Sequence, residues 1–378
     1  MKMWKFEFLK IYRDRTTFII FSLILLLFSV PFIIGVQPDS DIELTLLEQN
    51  YEIGQEAIAD LADEPAATQA VENIKERNIY LKGIIDSLKA GDQREALINE
   101  RNLERRDLQG IADGSFSGAT LLEQTKTVRI LDFLVAHDIS KAELDPREMG
   151  AINYIEMIFS TSNFVIILLL LLAVYISYFL TLDSRTKTSD VYQAAPYSLL
   201  KFFFQKTITL YGSIIINIGV ILLFILTMVG IKNGFGNIEY PIAVLVGEEV
   251  TIVSTAIYLL QNVIFLNSWI LYLLIVGLFV SLLASNLILN MFVLFLPLLL
   301  NQYNILNSAV SDRLKPYLLS NYADVPRIVY GGSDYLPLPS TDLTVARGIT
   351  LLTVITFVIF IATVLIIRNK NKNKFKML

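Results

Sequence analysis

Two long apolar runs with a charged stretch between them constrain this chain more than any other feature. Phe18–Val36 carries no charged residue, and the next such run begins at Phe164. Gln37–Asn163, between them, is rich in Glu, Asp, Lys, Arg, Gln and Asn. A run of about 19 apolar residues spans the ~30 Å hydrocarbon core as a helix, because a helix satisfies its own backbone polar groups where water is absent. The intervening stretch cannot sit in lipid and must fold as a soluble domain on one face of the membrane. The chain is 54% hydrophobic with a mean hydropathy of +0.56. That excess is concentrated in runs, which is the pattern of a polytopic membrane protein.

Charge orients the runs. The formal net charge of -5 averages unlike parts. Lys2, Lys5, Lys10, Arg13 and Arg15 precede the first span, and a basic tail without acids begins at Arg368. Residues 37–163 instead hold 12 Lys and Arg against 25 Asp and Glu. Both basic clusters abut membrane spans and read as topology signals, so no nucleic-acid partner is expected. The absence of cysteine excludes disulfides, thiolate metal sites and cysteine nucleophiles. Met1–Val36 reads as an uncleaved first span: its apolar run exceeds a signal-peptide core, and no A-x-A-like site lies at Gly35-Val36-Gln37-Pro38. Trp4, Phe6, Phe8, Leu9, Ile11 and Tyr12 interleave with Lys and Arg, which predicts an amphipathic helix at the inner interface.

Further spans are predicted at Phe164–Leu182, Ile208–Val229 and Val345–Ile367. Val263–Leu300 as one helix would be roughly 57 Å long, far beyond a bilayer. The polar break Ala284-Ser285-Asn286 splits it in two. Basic residues at both ends of the chain put both termini inside, which requires an even number of spans. Six spans meet that requirement. The expected fold is all-α: a polytopic membrane protein with six transmembrane helices and a helical extracytoplasmic domain between helices 1 and 2. The expected organisation is 1–36 for the amphipathic and first membrane helices, 37–163 for the external domain, and 164–378 for five further spans. Gly230–Asn262 and Asn301–Thr344 then lie outside, and Asp183–Lys206 lies inside. Tyr240–Phe265 reads as a helix lying at the outer surface or dipping part-way in.

The insert reads as helices. Leu44, Leu47, Tyr51, Ile58 and Leu61 form one stripe, interrupted by Gly54. Val71, Ile74, Asn78, Leu81, Ile85 and Leu88 form a second, and Leu121, Val128, Leu131 and Val135 a third. Such spacing buries one face of each helix against its neighbours. Pro65, Gly91-Asp92 and Asp113-Gly114-Ser115 are the predicted breaks. Asn78 reads as a register-setting residue or a water-facing edge rather than a ligand site.

Little chemistry is legible. No G-x-x-x-x-G-K-[ST] motif cradles ATP, and the single histidine, His137, cannot build a zinc site or a Ser-His-Asp arrangement alone. No catalytic or metal-binding residue is expected. Glu248-Glu249 reads as a solvated outer-surface pair. The polar residues within spans are the uncharged Asn217, Asn286 and Asn290, which either hydrogen-bond between helices or line a translocation path. Without ionisable groups at mid-membrane, transport would need an external energy source.

The internal segment runs Asp183-Ser184-Arg185-Thr186-Lys187-Thr188-Ser189-Asp190-Val191-Tyr192, then on through Pro196 and Ser198 to Lys206. It resembles the first cytoplasmic loop of type-2 ABC export permeases. There an acid closes span two, a short polar helix with Thr follows, and a Pro-x-Ser turn and a Lys lead into span three. Asp183, Thr186 or Thr188, Pro196 with Ser198, and Lys206 take those places. Val276–Leu283 followed by Pro297 is similar to the fourth and fifth spans of that family. Two features depart from it: Arg185 or Lys187 stands where the family has glycine before the Thr, and the 284–286 turn lacks a basic residue. The resemblance implies a permease subunit that pairs with a second permease subunit, identical or different, while separate ATPase subunits bind ATP and Mg. It implies that Asp183, Arg185, Thr186, Lys187, Asp190 and Tyr192 couple to the ATPase. The implied location is a bacterial plasma membrane with both termini cytoplasmic. Two other readings stand beside it: a sensor or resistance module whose external helices bind a peptide or lipid, and a scaffold that transports nothing.

Overall fold

A computed structural model describes residues 3–35, 40–186, 198–247, 249–300, 307, 310–332 and 337–376. The basic, aromatic start folds as α1 (Met3–Arg13), and the first apolar run as α2 (Arg15–Ile34). Asp14 separates them in an extended conformation and caps α2, its carboxylate accepting from Thr16 N at 2.8 Å. The later apolar runs fold as α8 (Ser162–Arg185), α9 (Leu199–Asn233), α10 (Thr255–Leu283) and α13 (Val345–Lys376). With α2 these make five helices, among the described residues, that are long and apolar enough to cross a membrane. The protein is therefore mostly helical and membrane-embedded.

The long apolar stretch divides where its polar break predicts. After Leu283 the chain turns, and α11 (Leu287–Leu299) starts under an Asn286 cap that accepts from Ile288 N at 2.9 Å and Leu289 N at 3.2 Å. Asn290 Nδ2 then donates to Gly277 O at 2.9 Å, so α11 doubles back along α10. At 13 residues α11 is about 20 Å long, shorter than the hydrocarbon core.

One connection between the long helices differs from expectation. The stretch read as a surface helix from Tyr240 begins as a hairpin: β1 (Pro241–Val246) pairs antiparallel with β2 (Glu249–Ser254), Pro241 opposite Ser254 and Val246 opposite Glu249. Ile242, Val244, Val246, Val250, Ile252 and Val253 are β-branched and suit strands, and Gly247 turns the chain at φ +66°. A second connection, 315–330, packs into the core. Ser320, Asn321, Tyr322 and Ala323 are buried, and α12 (Val325–Tyr330) follows them against the core. Trp269 Nε1 donates to Tyr322 O at 2.9 Å, and Tyr322 OH donates to Pro316 O at 2.9 Å. Irregular backbone is tolerated beside membrane helices when protein buries it and satisfies it this way. Gly348 admits the segment, since a Cβ there would lie 2.6 Å from the rings of both Phe265 and Tyr322.

The insert forms α3 (Ser40–Leu61), α4 (Thr68–Ala90), α5 (Gln93–Asp113) and α6 (Leu121–His137), each packed on the next. The breaks are those in the sequence: a 3-10 turn from Pro65, then left-handed Gly91 and Gly114 closing α4 and α5. Gly54 and Asn78 explain each other. A Cβ on Gly54 would meet Asn78 Oδ1 at 2.4 Å, and Asn78 Nδ2 reaches Tyr51 O at 3.4 Å. The insert has two small apolar clusters, one around Leu81, Ile84 and Leu103 and one around Leu97, Leu131 and Leu134. Tyr240, just ahead of the hairpin, packs on the second, and both strands pack on α6. Buried Lys126 pins it down, donating to Gly332 O at 3.0 Å and lying 5.4 Å above the Tyr330 ring. The next helix, α7 (Ala151–Ser160), belongs to the main core: Tyr154 OH donates to Phe28 O at 2.6 Å.

Candidate functional site

The most charged place inside the helical core lies at the end remote from the insert, where α1, α8 and α9 meet. Its residues come from three distant parts of the sequence. Asp183 sits in the last turn of α8 and is 5% exposed; Lys206, in the second turn of α9, is 4% exposed. Lys206 Nζ donates to Asp183 Oδ2 at 2.5 Å and reaches Leu180 O at 3.4 Å. Lys10 from α1 bonds the other carboxylate oxygen, Oδ1. Glu7, one turn earlier and 2% exposed, is close enough for its charge to act on Lys206. Two acids thus balance two bases in one group, of which Glu7, Asp183 and Lys206 are buried and Lys10 is partly exposed. Burial of this kind is tolerated only because each charge has a partner.

A second set of bonds reinforces the first. Asp14 Oδ2 accepts from Tyr178 OH at 3.1 Å, so the residue that breaks α1 from α2 is tied to α8. Arg185 Nη2 donates to Tyr178 O at 3.1 Å, and its guanidinium lies 4.7 Å from the centre of the Tyr178 ring. Thr17 Oγ1 donates to Ile11 O at 2.6 Å across the same break. Ser198 caps α9, its hydroxyl accepting from Lys201 N at 3.3 Å. The basic amphipathic helix and both roots of the 183–206 segment are therefore one mechanical unit.

Of the residues expected to face an ATPase, Asp183 turns inward and is held within the chain, while Arg185 and Thr186 are exposed. Lys187, Asp190 and Tyr192 lie outside the described residues. The three span amides sit apart from one another. Asn217 Nδ2 donates to Ser213 O at 2.7 Å and Tyr12 OH at 3.2 Å. Asn290 is fully buried; besides its bond to Gly277, its Oδ1 accepts from Ser177 Oγ at 3.2 Å. Asn286 is the exposed cap of α11. Each therefore makes a structural hydrogen bond, and Asn217 and Asn290 join neighbouring helices. His137 is exposed, its Nδ1 2.9 Å from Phe133 O. Glu249 is an exposed strand residue, and Glu248 lies outside the described residues.

In the sequence Asp183 and Lys206 stand at the two ends of the loop with nothing to pair them, Lys10 counts only towards the basic topology signal, and Glu7 has no role. The i, i+3 spacing of Glu7 and Lys10 on this aromatic-rich helix was the available signal, since it puts both on one face. Family models, curated proteins and solved structures give no match to this chain.

Proposed function

We propose that the chain is the permease subunit of an ATP-driven exporter of the type-2 ABC class. The carrying observation is the buried Asp183–Lys206 pair joined by the partly exposed Lys10, which fastens the basic amphipathic helix to both roots of the 183–206 loop. A loop anchored this firmly transmits a push on its tip into α8 and α9. The proposal takes α2, α8, α9, α10, α11 and α13 as six crossings, with both basic termini in the cytoplasm of a bacterial cell and the insert outside. α11 is short for a crossing, and the buried 315–330 segment fills part of the width beside it. ATP and Mg belong to separate ATPase subunits that grip the loop through Arg185, Thr186, Lys187, Asp190 and Tyr192. A second permease subunit, identical or different, completes the path, and the Asn290 region lies along it.

One observation favours a second reading, a sensor or resistance module. Between α3, α4 and α5 a cleft of about 320 Å3 is lined by Asn50, Asn73, Asn78, Arg77, Arg106 and Phe116. Amides and guanidinium groups over an apolar floor suit an extended peptide.

Purification from the native membrane tests the first reading. An ATP-binding-cassette subunit should copurify, and replacing Asp190 and Tyr192 together with Ala should abolish substrate-stimulated ATP hydrolysis without loss of membrane insertion. Tyr192 is the stronger anchor, since an aromatic can fill a pocket and still make a polar contact. Unchanged coupling would move the protein towards a scaffold. Topology is checked separately with single cysteines in this cysteine-free chain. A membrane-impermeant thiol reagent should label positions 86 and 334 in intact cells, but not 187 or 372. Labelling of 372 from outside would refute the six-span arrangement.

A further inference from the structure

Where the insert meets the helical core, β1, α12, residues 337–344 and the starts of α10 and α13 enclose a cavity of about 400 Å3. Its wall includes Val244, Leu245, Ile328, Val329, Leu338 and Leu343, and no ionisable side chain lines it among the described residues. The polar side chains there are Gln261, Thr341 and Thr344. Thr344 is already engaged, its Oγ1 accepting from Arg347 N at 3.3 Å. Gly331 holds one side closed. A Cβ at this left-handed residue would lie 2.1 Å from Leu245 O, so α12 and β1 meet there through backbone.

Three observations select an occupant. The wall is mostly aliphatic, with its few polar side chains limited to Gln261, Thr341 and Thr344, which suits an alkyl chain with a polar end. The cavity lies at the level where two membrane-length helices begin, at Thr255 and Val345, which is where a bilayer presents its lipids. Its rim also carries an exposed apolar residue: Val246 lines the cavity and is 62% exposed.

We propose that this cavity takes up one acyl chain of a phospholipid from the surrounding bilayer, entering past Val246, with the Gln261 amide and the Thr341 hydroxyl bonding its ester oxygens. The assignment rests on the membrane location of the helices and is independent of transport.

The full-length protein in nanodiscs containing phosphatidylglycerol with a diazirine in one acyl chain provides the test. After irradiation, mass spectrometry should find adducts on 244–246, 328–329 and 338–345. Leu338→Trp should reduce them about tenfold, the effect of displacing two methylene groups, while adducts on the exposed face of α13 at Val354, Phe357 and Val358 stay constant. Leu338→Phe, a smaller filling, should give an intermediate loss and serves if the Trp variant misfolds. Adducts confined to the outer face of α13, or cavity adducts unaffected by a folded filling variant, would overturn the proposal. Competition by excess free palmitate would transfer the site to fatty acid and overturn the phospholipid assignment.

Discussion

Asp183→Asn should lower the unfolding temperature of the purified full-length protein by on the order of 10 °C. The carboxylate is the shared partner of two ammonium groups, and the side chain of Lys206 is only 5% exposed. Asparagine keeps the shape but removes the charge, leaving Lys206 with a carbonyl at 3.4 Å and the more distant Glu7 as compensation. Removing one partner of a buried pair costs about 3–5 kcal/mol, because the remaining charge is stranded away from water. Lys10 is less affected, since its side chain is 21% exposed and its long stem can carry the ammonium to solvent. The double variant Asp183→Asn with Lys206→Met should recover most of the lost stability, because no buried charge is then left unpaired. Thermal unfolding followed by size-exclusion chromatography in detergent reads both variants. If Asp183→Asn melts with the wild type, the charged group is not what anchors α1 and the loop, and the proposed coupling path loses its foundation.

The sequence made some of this legible and hid the rest for physical reasons. The long helices could be read because lipid demands an unbroken apolar run from any chain that crosses it, and the Ala284–Asn286 break could be read because Asn286 is a strong helix cap. The hairpin was hidden because Ile242, Ala243 and Val244 are all buried, so β1 shows no alternation and looks like part of an apolar helix. The 315–330 segment was hidden because Ser320, Asn321 and Lys315 suggest a solvated loop. Some of its polar groups are instead met inside the protein, as when Asn321 Nδ2 donates to Lys315 O and Trp269 Nε1 to Tyr322 O, both at 2.9 Å. The candidate site was half visible. Local sequence marks Asp183 and Lys206 as the ends of one loop, but only the packing of α1 against α9 brings in Lys10.

Glu156→Gln should flatten the pH dependence of stability between about pH 4.5 and 7 and make the protein more stable than wild type above that window. Glu156 lies in α7, between the insert and the main core, and makes no ion pair among the described residues. Its charge is felt by three tyrosine hydroxyls, those of Tyr240 ahead of the hairpin, Tyr258 of α10 and Tyr330 of α12. Burial without a basic partner pushes its carboxyl up from 4.5 to about 7. A carboxyl that titrates higher folded than unfolded holds its proton more tightly in the folded state. Its stabilising contribution is therefore complete below the unfolded value and is lost as pH rises through the folded one. The shift corresponds to a loss on the order of 3 kcal/mol by pH 8, which the neutral amide escapes. Glu104 and Asp107 in the insert are also raised by burial, so the wild-type curve alone does not isolate Glu156; the difference between the two proteins does. Melting curves at pH 5, 6, 7 and 8 should converge for the two proteins at the acid end and separate steadily towards the alkaline end. Parallel curves across that range would mean that Glu156 reaches water when ionised, and that α7 is looser against α10 and α12 than its packing here implies.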